Sequence, residues 1–102
     1  MIKYLSTRDN TTTISSSQAI INGLAADGGL YVPENLEDLK LDYHEVIRQD
    51  YPGMARTVFG KFFSDFDEKT IERVVSRSYT GKFSTEEITP LAKVEDAFVL
   101  EL

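Results

Sequence analysis

The spacing of apolar side chains changes several times along the chain, which predicts short strands at both ends and helices between them. The strand segments combine β-branched, threonine and aromatic side chains and are bounded by polar turns. Strands are predicted at residues 2–5, 11–14, 30–33, 91–94 and 98–102. Pro33 ends the third strand because proline has no amide to donate to a ladder. A turn at residues 95–97 is expected to join the last two strands.

The first helix is predicted between two polar signals. Serines at positions 15–17 offer N-cap oxygens before the apolar residues of the helix. Gly23 is expected to weaken this helix, and the segment Asp27-Gly28-Gly29 is expected to end it. Glycine suits such an end because it adopts the left-handed turn without steric cost.

Two longer helices are predicted further on, after a polar connection at residues 34–42 and one or two helical turns at residues 43–47. Pro52 suits the first position of the earlier long helix. Its expected apolar face is Met54, Ala55, Val58, Phe59 and Phe62. Asp65 or Asp67 is expected to cap the later one. Its expected apolar stripe is Ile71, Val74, Val75 and Tyr79. The fold class is therefore α+β, with residues 1–102 forming one small domain.

Composition narrows the classes of function. The formal net charge is −6, and the basic residues are scattered among acidic ones, so neither a nucleic-acid surface nor an anionic-membrane surface is predicted. The chain has no cysteine and a single histidine, His44, which excludes thiolate chemistry and a site built from several imidazoles. No apolar signal core or membrane-length segment is present in the sequence, so a cytoplasmic protein is expected.

Two short segments carry candidate chemistry, although neither forms a complete active site. The glycine pair of residues 27–33, DGGLYVP, lets backbone approach a ligand or another domain closely, but it also fits a plain turn into a strand. Ser6-Thr7-Arg8 places two hydroxyls and a guanidinium after a strand, where they suit an anion or a capped turn. Lys93 lies in an alternating strand, whereas a Schiff-base lysine needs a desolvated pocket.

Three segments together resemble the threonine synthase family. Residues 4–8, YLSTR, are similar to the Y-x-S-T-R opening of these enzymes. Residues 17–33 are similar to the family pattern S-x-A-x-x-x-G-L-A-x-D-G-G-L-Y-V-P. Pro90-Leu91 and residues 99–102 resemble the stretch that precedes the lysine motif of the family. Asp9 departs from the pattern, since many members have glycine there, and residues 34–83 are only loosely similar.

The resemblance implies a pyridoxal-phosphate enzyme that converts O-phospho-L-homoserine and water into L-threonine and phosphate. The implied architecture of the whole enzyme is α/β, of fold type II, like the tryptophan synthase β subunit. In the family, the motif F-x-G-P-T-x-x-F-K-D carries the cofactor lysine and follows the equivalent of Leu102. The resemblance therefore implies an N-terminal domain cut before its catalytic machinery, with no catalytic, cofactor-binding or metal residue of its own and no activity alone. Its expected partner is the pyridoxal-phosphate-binding domain of the same polypeptide.

The resemblance leaves two roles for the conspicuous residues of this domain. They are expected either at the domain interface or at the rim of the substrate site, or else they belong to a folding cap that only buries apolar surface. The candidates are Ser6, Thr7, Arg8, Asp27, Gly28, Gly29 and Tyr31. Two other hypotheses stay open at this point: a non-enzymatic protein of the same fold, and a free-standing interaction module.

Overall fold

The first third of the chain folds into a three-stranded antiparallel sheet with one short helix. A computed structural model describes all residues, 1–102. Strand β1 is Tyr4–Ser6, β2 is Asp9–Ile14 and β3 is Tyr31–Pro33, and the order across the sheet is β2-β1-β3. Tyr4 pairs with Pro33 and Ser6 with Tyr31, so β1 and β3 are paired along their whole length. The prediction of three strands is confirmed, although β1 begins two residues later than expected.

Helix α1, Ser16–Asn22, lies between β2 and β3 and is shorter than predicted. The hydroxyl of Ser15 accepts the amide of Gln18, which caps the helix, as the serine run predicts. The helix stops at Gly23, whose φ of 70° reverses the chain five residues before the glycine pair. The predicted stop at residues 27–29 is therefore wrong, because Gly23 ends the helix instead of weakening it.

The second third of the chain contains the helices. Each N-cap is a polar side chain that accepts a backbone amide: Asn35 caps a 3-10 helix at Leu36–Leu39, and Asp42 caps α2, Tyr43–Val46. The predicted polar connection thus contains a helical turn, and that turn buries Leu39. Asp50 caps α3, Tyr51–Phe62, and Asp67 caps α4, Glu68–Tyr79.

Helices α3 and α4 pack against each other and form the core. Ala55, Ile71 and Val75 are its buried side chains, and Val75 has no exposed surface. Phe59, Phe63, Phe66 and Tyr79 pack around them. This core contains Ala55 and Phe59 from the predicted face of α3 and Ile71, Val75 and Tyr79 from the predicted stripe of α4. Val74 of that stripe is 45% exposed. Neither helix exceeds 12 residues, and none in the chain is suited to cross a membrane.

The chain is extended again after residue 90. Strands β4, Leu91–Val94, and β5, Ala97–Leu100, form a separate two-stranded sheet, with a shorter turn than predicted at Glu95-Asp96. The radius of gyration is 16.6 Å, compared with about 13 Å for a compact chain of this length. The molecule therefore consists of a sheet, a helix pair and a projecting hairpin.

Candidate functional site

The loop between α1 and β3 is fastened to the turn between β1 and β2. The Thr7 amide donates to the Leu30 carbonyl at 2.8 Å, and the Leu30 amide donates to Oγ1 of Thr7 at 3.0 Å. These two bonds lie beside the β1–β3 ladder and continue it beyond Ser6 and Tyr31. The loop at residues 25–30, called the glycine loop below, is therefore held over the β1–β2 turn.

Asp27 organises the glycine loop. Its carboxylate accepts the Ser6 hydroxyl at 2.7 Å and the Gly29 amide at 2.8 Å. These hydrogen bonds, first that from Ser6 and then that from Gly29, hold the pKa of Asp27 below its usual range. The Asp27 carbonyl accepts Nη1 of Arg8 at 3.0 Å, so the guanidinium lies across the loop. The carboxylate is ionised and occupied by donors of its own chain.

Both glycines of the pair are required by geometry. Gly28 has a φ of 82°, and a Cβ there would lie 2.9 Å from Nη1 of Arg8. A Cβ on Gly29 would lie 2.1 Å from Oγ of Ser6, which is closer than any real contact. The glycines therefore let the loop approach Ser6 and Arg8 closely.

Tyr31 lies at the side of the same cluster. Its hydroxyl accepts Nδ2 of Asn22 at 3.1 Å, which links β3 to the end of α1. Together with Ser6, Asp9 and Asp27 it lines a cavity of about 250 Å³ that opens to solvent. The structure thus brings all seven predicted candidates into one region, while His44 and Lys93 are exposed elsewhere.

The two carboxylates that line the cavity are both shifted toward the ionised form. Each carboxylate that lines the cavity has a lowered pKa: that of Asp9 is lowered by hydrogen bonds from Thr11, that of Asp27 by Ser6 and Gly29. A general base poised near neutrality needs the opposite shift. No group of three or more acidic or histidine side chains is placed to hold a metal ion. The cluster can shape and stiffen a surface, and it presents exposed Arg8 and Leu30 on that surface.

A second polar cluster was missed by the sequence interpretation. The Asp65 carboxylate accepts the hydroxyls of Ser16 and Ser17 and the Ser17 amide, the last at 3.1 Å. Burial raises the pKa of Asp65, but these hydrogen bonds outweigh burial and hold the pKa well below its usual range. The sequence did contain a signal for this cluster, because it offers two acids, Asp65 and Asp67, before a helix that needs one cap. Asp67 caps α4, so the Asp65 carboxylate is available to accept hydrogen bonds from α1.

The hydrogen bonds that link residues 1–33 to the helix pair all end on the last residue of α3 or on the loop that follows it. Besides the Asp65 contacts, the Ile2 amide donates to Oγ of Ser64 at 2.7 Å. The buried Tyr4 hydroxyl donates to the Phe62 carbonyl, also at 2.7 Å. Burial and the negative charge of Asp65 both raise the pKa of Tyr4. We call residues 62–65 with these partners the joint.

Comparisons with known proteins identify the fold. Residues 3–79 match the family model described as threonine synthase N terminus. Threonine synthase of Corynebacterium glutamicum is 36% identical over 95% of the chain, and that of Methylobacillus glycogenes is 31% identical over 97%. A crystal structure of pyridoxal-phosphate-bound threonine synthase from Brucella melitensis superposes on 99% of the chain with a TM-score of 0.80 and 30% identity.

The matches also define the class of protein and its extent. The chain spans 22% of the Corynebacterium and Brucella proteins and 23% of the Methylobacillus protein, so it matches one small domain-sized part of each. It is an α+β chain that matches a small part of much longer proteins, one of which, the Brucella threonine synthase, has pyridoxal phosphate bound. The chain belongs to the threonine synthase N-terminal family.

Proposed function

We propose that the chain contains the N-terminal domain of a threonine synthase, which converts O-phospho-L-homoserine and water into L-threonine and phosphate. The observation that carries the proposal is that enzymes of this name match 95% or more of the chain at about one-third identity. The glycine loop adds support, because the residues that resemble the family pattern are those that contact one another.

The chain's own residues do not fit the cofactor. Pyridoxal phosphate is bound through a lysine in a desolvated pocket, and all six lysines of this chain are exposed. We therefore assign the cofactor lysine and the phosphate cradle of the proposed enzyme to the catalytic domain, and we expect these 102 residues to be inactive alone. The domain contributes shape and contact surface rather than reacting groups.

Within that enzyme, we assign the glycine loop to the surface that faces the catalytic domain or the rim of the substrate site. The support is that the hydrogen-bonding groups of the loop are already paired: the Asp27 carboxylate accepts the Ser6 hydroxyl and the Gly29 amide. The loop is therefore rigid before any partner binds. Arg8 is fixed by one nitrogen and exposes the rest of its guanidinium. A rigid cationic projection suits either a carboxylate on a partner surface or an anionic substrate.

The first test is the nucleotide sequence beyond the codon for Leu102, followed by expression of the extended reading frame. We expect a frame with the F-x-G-P-T-x-x-F-K-D motif and a product that releases phosphate from O-phospho-L-homoserine. A stop codon at position 103, or an extended protein that binds pyridoxal phosphate without releasing phosphate, would contradict the proposal.

The role of the glycine loop is tested in the same extended enzyme. Arg8→Ala should lower kcat/KM by at least about tenfold, since a lost charge-assisted hydrogen bond is worth more than 1 kcal/mol. Lys40→Ala is the matched control, because Lys40 is an exposed cation whose partner is Glu37 of the same helical turn. Equal kinetics for the two variants would assign the loop to a folding cap.

A further inference from the structure

The β4–β5 hairpin is apolar on both of its faces. Cross-strand partners lie on the same face of an antiparallel pair, so the register assigns Leu91, Lys93, Phe98 and Leu100 to one face. Ala92, Val94, Ala97 and Val99 form the other face. Lys93 is the one charged side chain among the eight. A sheet that lies on a protein surface normally alternates apolar and polar side chains, whereas a strand buried on both faces is apolar throughout.

In this chain neither face is covered. The side chain of Phe98 is 67% exposed on one face and that of Val94 is 55% exposed on the other. The hairpin makes its extensive contacts only within itself. The three-stranded sheet, by contrast, is joined to the helix pair by hydrogen bonds from Ile2 and Tyr4. An isolated two-stranded sheet is at best marginally stable in water, so this hairpin needs further strands or covering layers.

The position of the hairpin also separates it from the rest of the chain. The family match ends at residue 79, the last residue of α4. Residues 80–90 form a connection without helix or strand, and residues 80–87 of it are exposed. More than three-quarters of the length of the Corynebacterium and Brucella relatives lies outside the matched part. In a threonine synthase chain, that remaining length is a candidate to cover the hairpin.

We infer that the β4–β5 hairpin is a docking element for the rest of a threonine synthase chain, which adds strands to its edges and packs apolar layers on both of its faces. The inference rests on the proposed function. It sets the boundary of the small domain in residues 80–90, so that residues 91–102 belong structurally to the domain that follows. The expected partner surface is apolar, with one acidic or carbonyl group opposite Lys93.

Amide hydrogen exchange on the 102-residue chain gives the first test. Amides of β4 and β5 should exchange within about tenfold of unstructured rates, whereas those of α4 should be slower by about 100-fold or more. Hairpin amides as protected as those of α4 in a monomer would overturn the inference. Protection that disappears on dilution would overturn it too, because a second copy would then be the occupant.

Exchange in the extended protein gives the second test. The same hairpin amides should slow by about 100-fold or more, to the level of α4. Phe98→Ser and Val99→Ser probe the two faces separately: each should lower the Tm of the extended protein and leave that of the 102-residue chain unchanged. Ile71→Ala, in the helix core, should lower both. If only one of the two serine variants lowers the Tm, the hairpin lies on a surface and the inference is wrong.

Phosphate release separates this inference from the proposed function. An extended protein that is active but whose hairpin amides exchange rapidly contradicts the docking inference alone. An extended protein that is inactive but protects its hairpin contradicts the proposed function alone.

Discussion

Asp65 joins helix α1 to the loop between α3 and α4. Removing it in Asp65→Ala leaves the almost fully buried hydroxyl of Ser16 without its acceptor. We expect the free energy of unfolding to fall by about 2 kcal/mol, a modest value for several charge-assisted hydrogen bonds because water reaches part of the carboxylate. Urea unfolding measures the change. Glu72→Ala, an exposed acid on α4, serves as the control and should change stability by less than about 0.5 kcal/mol.

The lowered pKa of Asp65 also predicts how the free energy of unfolding changes with pH. A carboxylate whose pKa is lower in the folded state contributes stability above its unfolded pKa of about 4 and loses it as the pH falls toward the folded value. Unfolding curves of the wild type should therefore shift to lower urea below pH 4. Asp65→Asn should flatten this dependence, since its amide does not titrate; an unchanged slope would assign acid sensitivity to the other lowered carboxylates.

Gly29 is expected to tolerate no side chain. Gly29→Ala forces Oγ of Ser6 away from the new Cβ and breaks its bond to Asp27, which should cost about 1–3 kcal/mol. Removing the same hydroxyl in Ser6→Ala should be costly in the wild type and much less so in the Gly29→Ala background. A double-mutant cycle by thermal unfolding measures this coupling. If the effects of the two substitutions on stability are additive, Ser6 and residue 29 do not interact.

At the scale of the element, α3 contains a glycine without a structural reason. Gly60 lies in the interior of the helix, is exposed, and a Cβ there would meet nothing within 4 Å. Gly60→Ala should therefore raise the free energy of unfolding by about 0.5–1 kcal/mol through the smaller entropy of the unfolded chain. Thermal unfolding of the variant checks this, and a lower Tm would show that the helix needs the flexibility.

The helices and strands also differ in how well they could be predicted from the sequence. Caps and turns are local, so the long helices after Asp50 and Asp67 and the five strands were predictable from neighbouring residues. The end of α1 was not predictable in this way, because both Gly23 and the pair Gly28-Gly29 can end a helix. The pair serves instead for the close approach to Ser6, which the local sequence does not reveal. The candidate site could be predicted from motifs, whereas the joint combines residues 48 to 62 positions apart that carry no local pattern.

At the scale of the whole molecule, little apolar surface is buried. Six apolar side chains make up the buried set, and large ones such as Ile21 and Leu24 remain exposed beside the glycine loop. Because hydrophobic burial is the main favourable contribution to folding, we expect a free energy of unfolding below about 5 kcal/mol for the 102-residue chain. Urea unfolding at neutral pH measures it. A value above about 8 kcal/mol would show that the exposed side chains are covered in solution.

The joint has a consequence for the order of folding. Helices α3 and α4 are neighbours in sequence and form their core by local contacts, whereas the joint connects Ile2 with Ser64, 62 positions away. Closing so long a loop is entropically slow and follows local structure. Stopped-flow experiments should show that Ile71→Ala slows refolding, while Asp65→Ala mainly accelerates unfolding. The N-terminal sheet, although synthesised first, would then be the last part of the domain to reach its place.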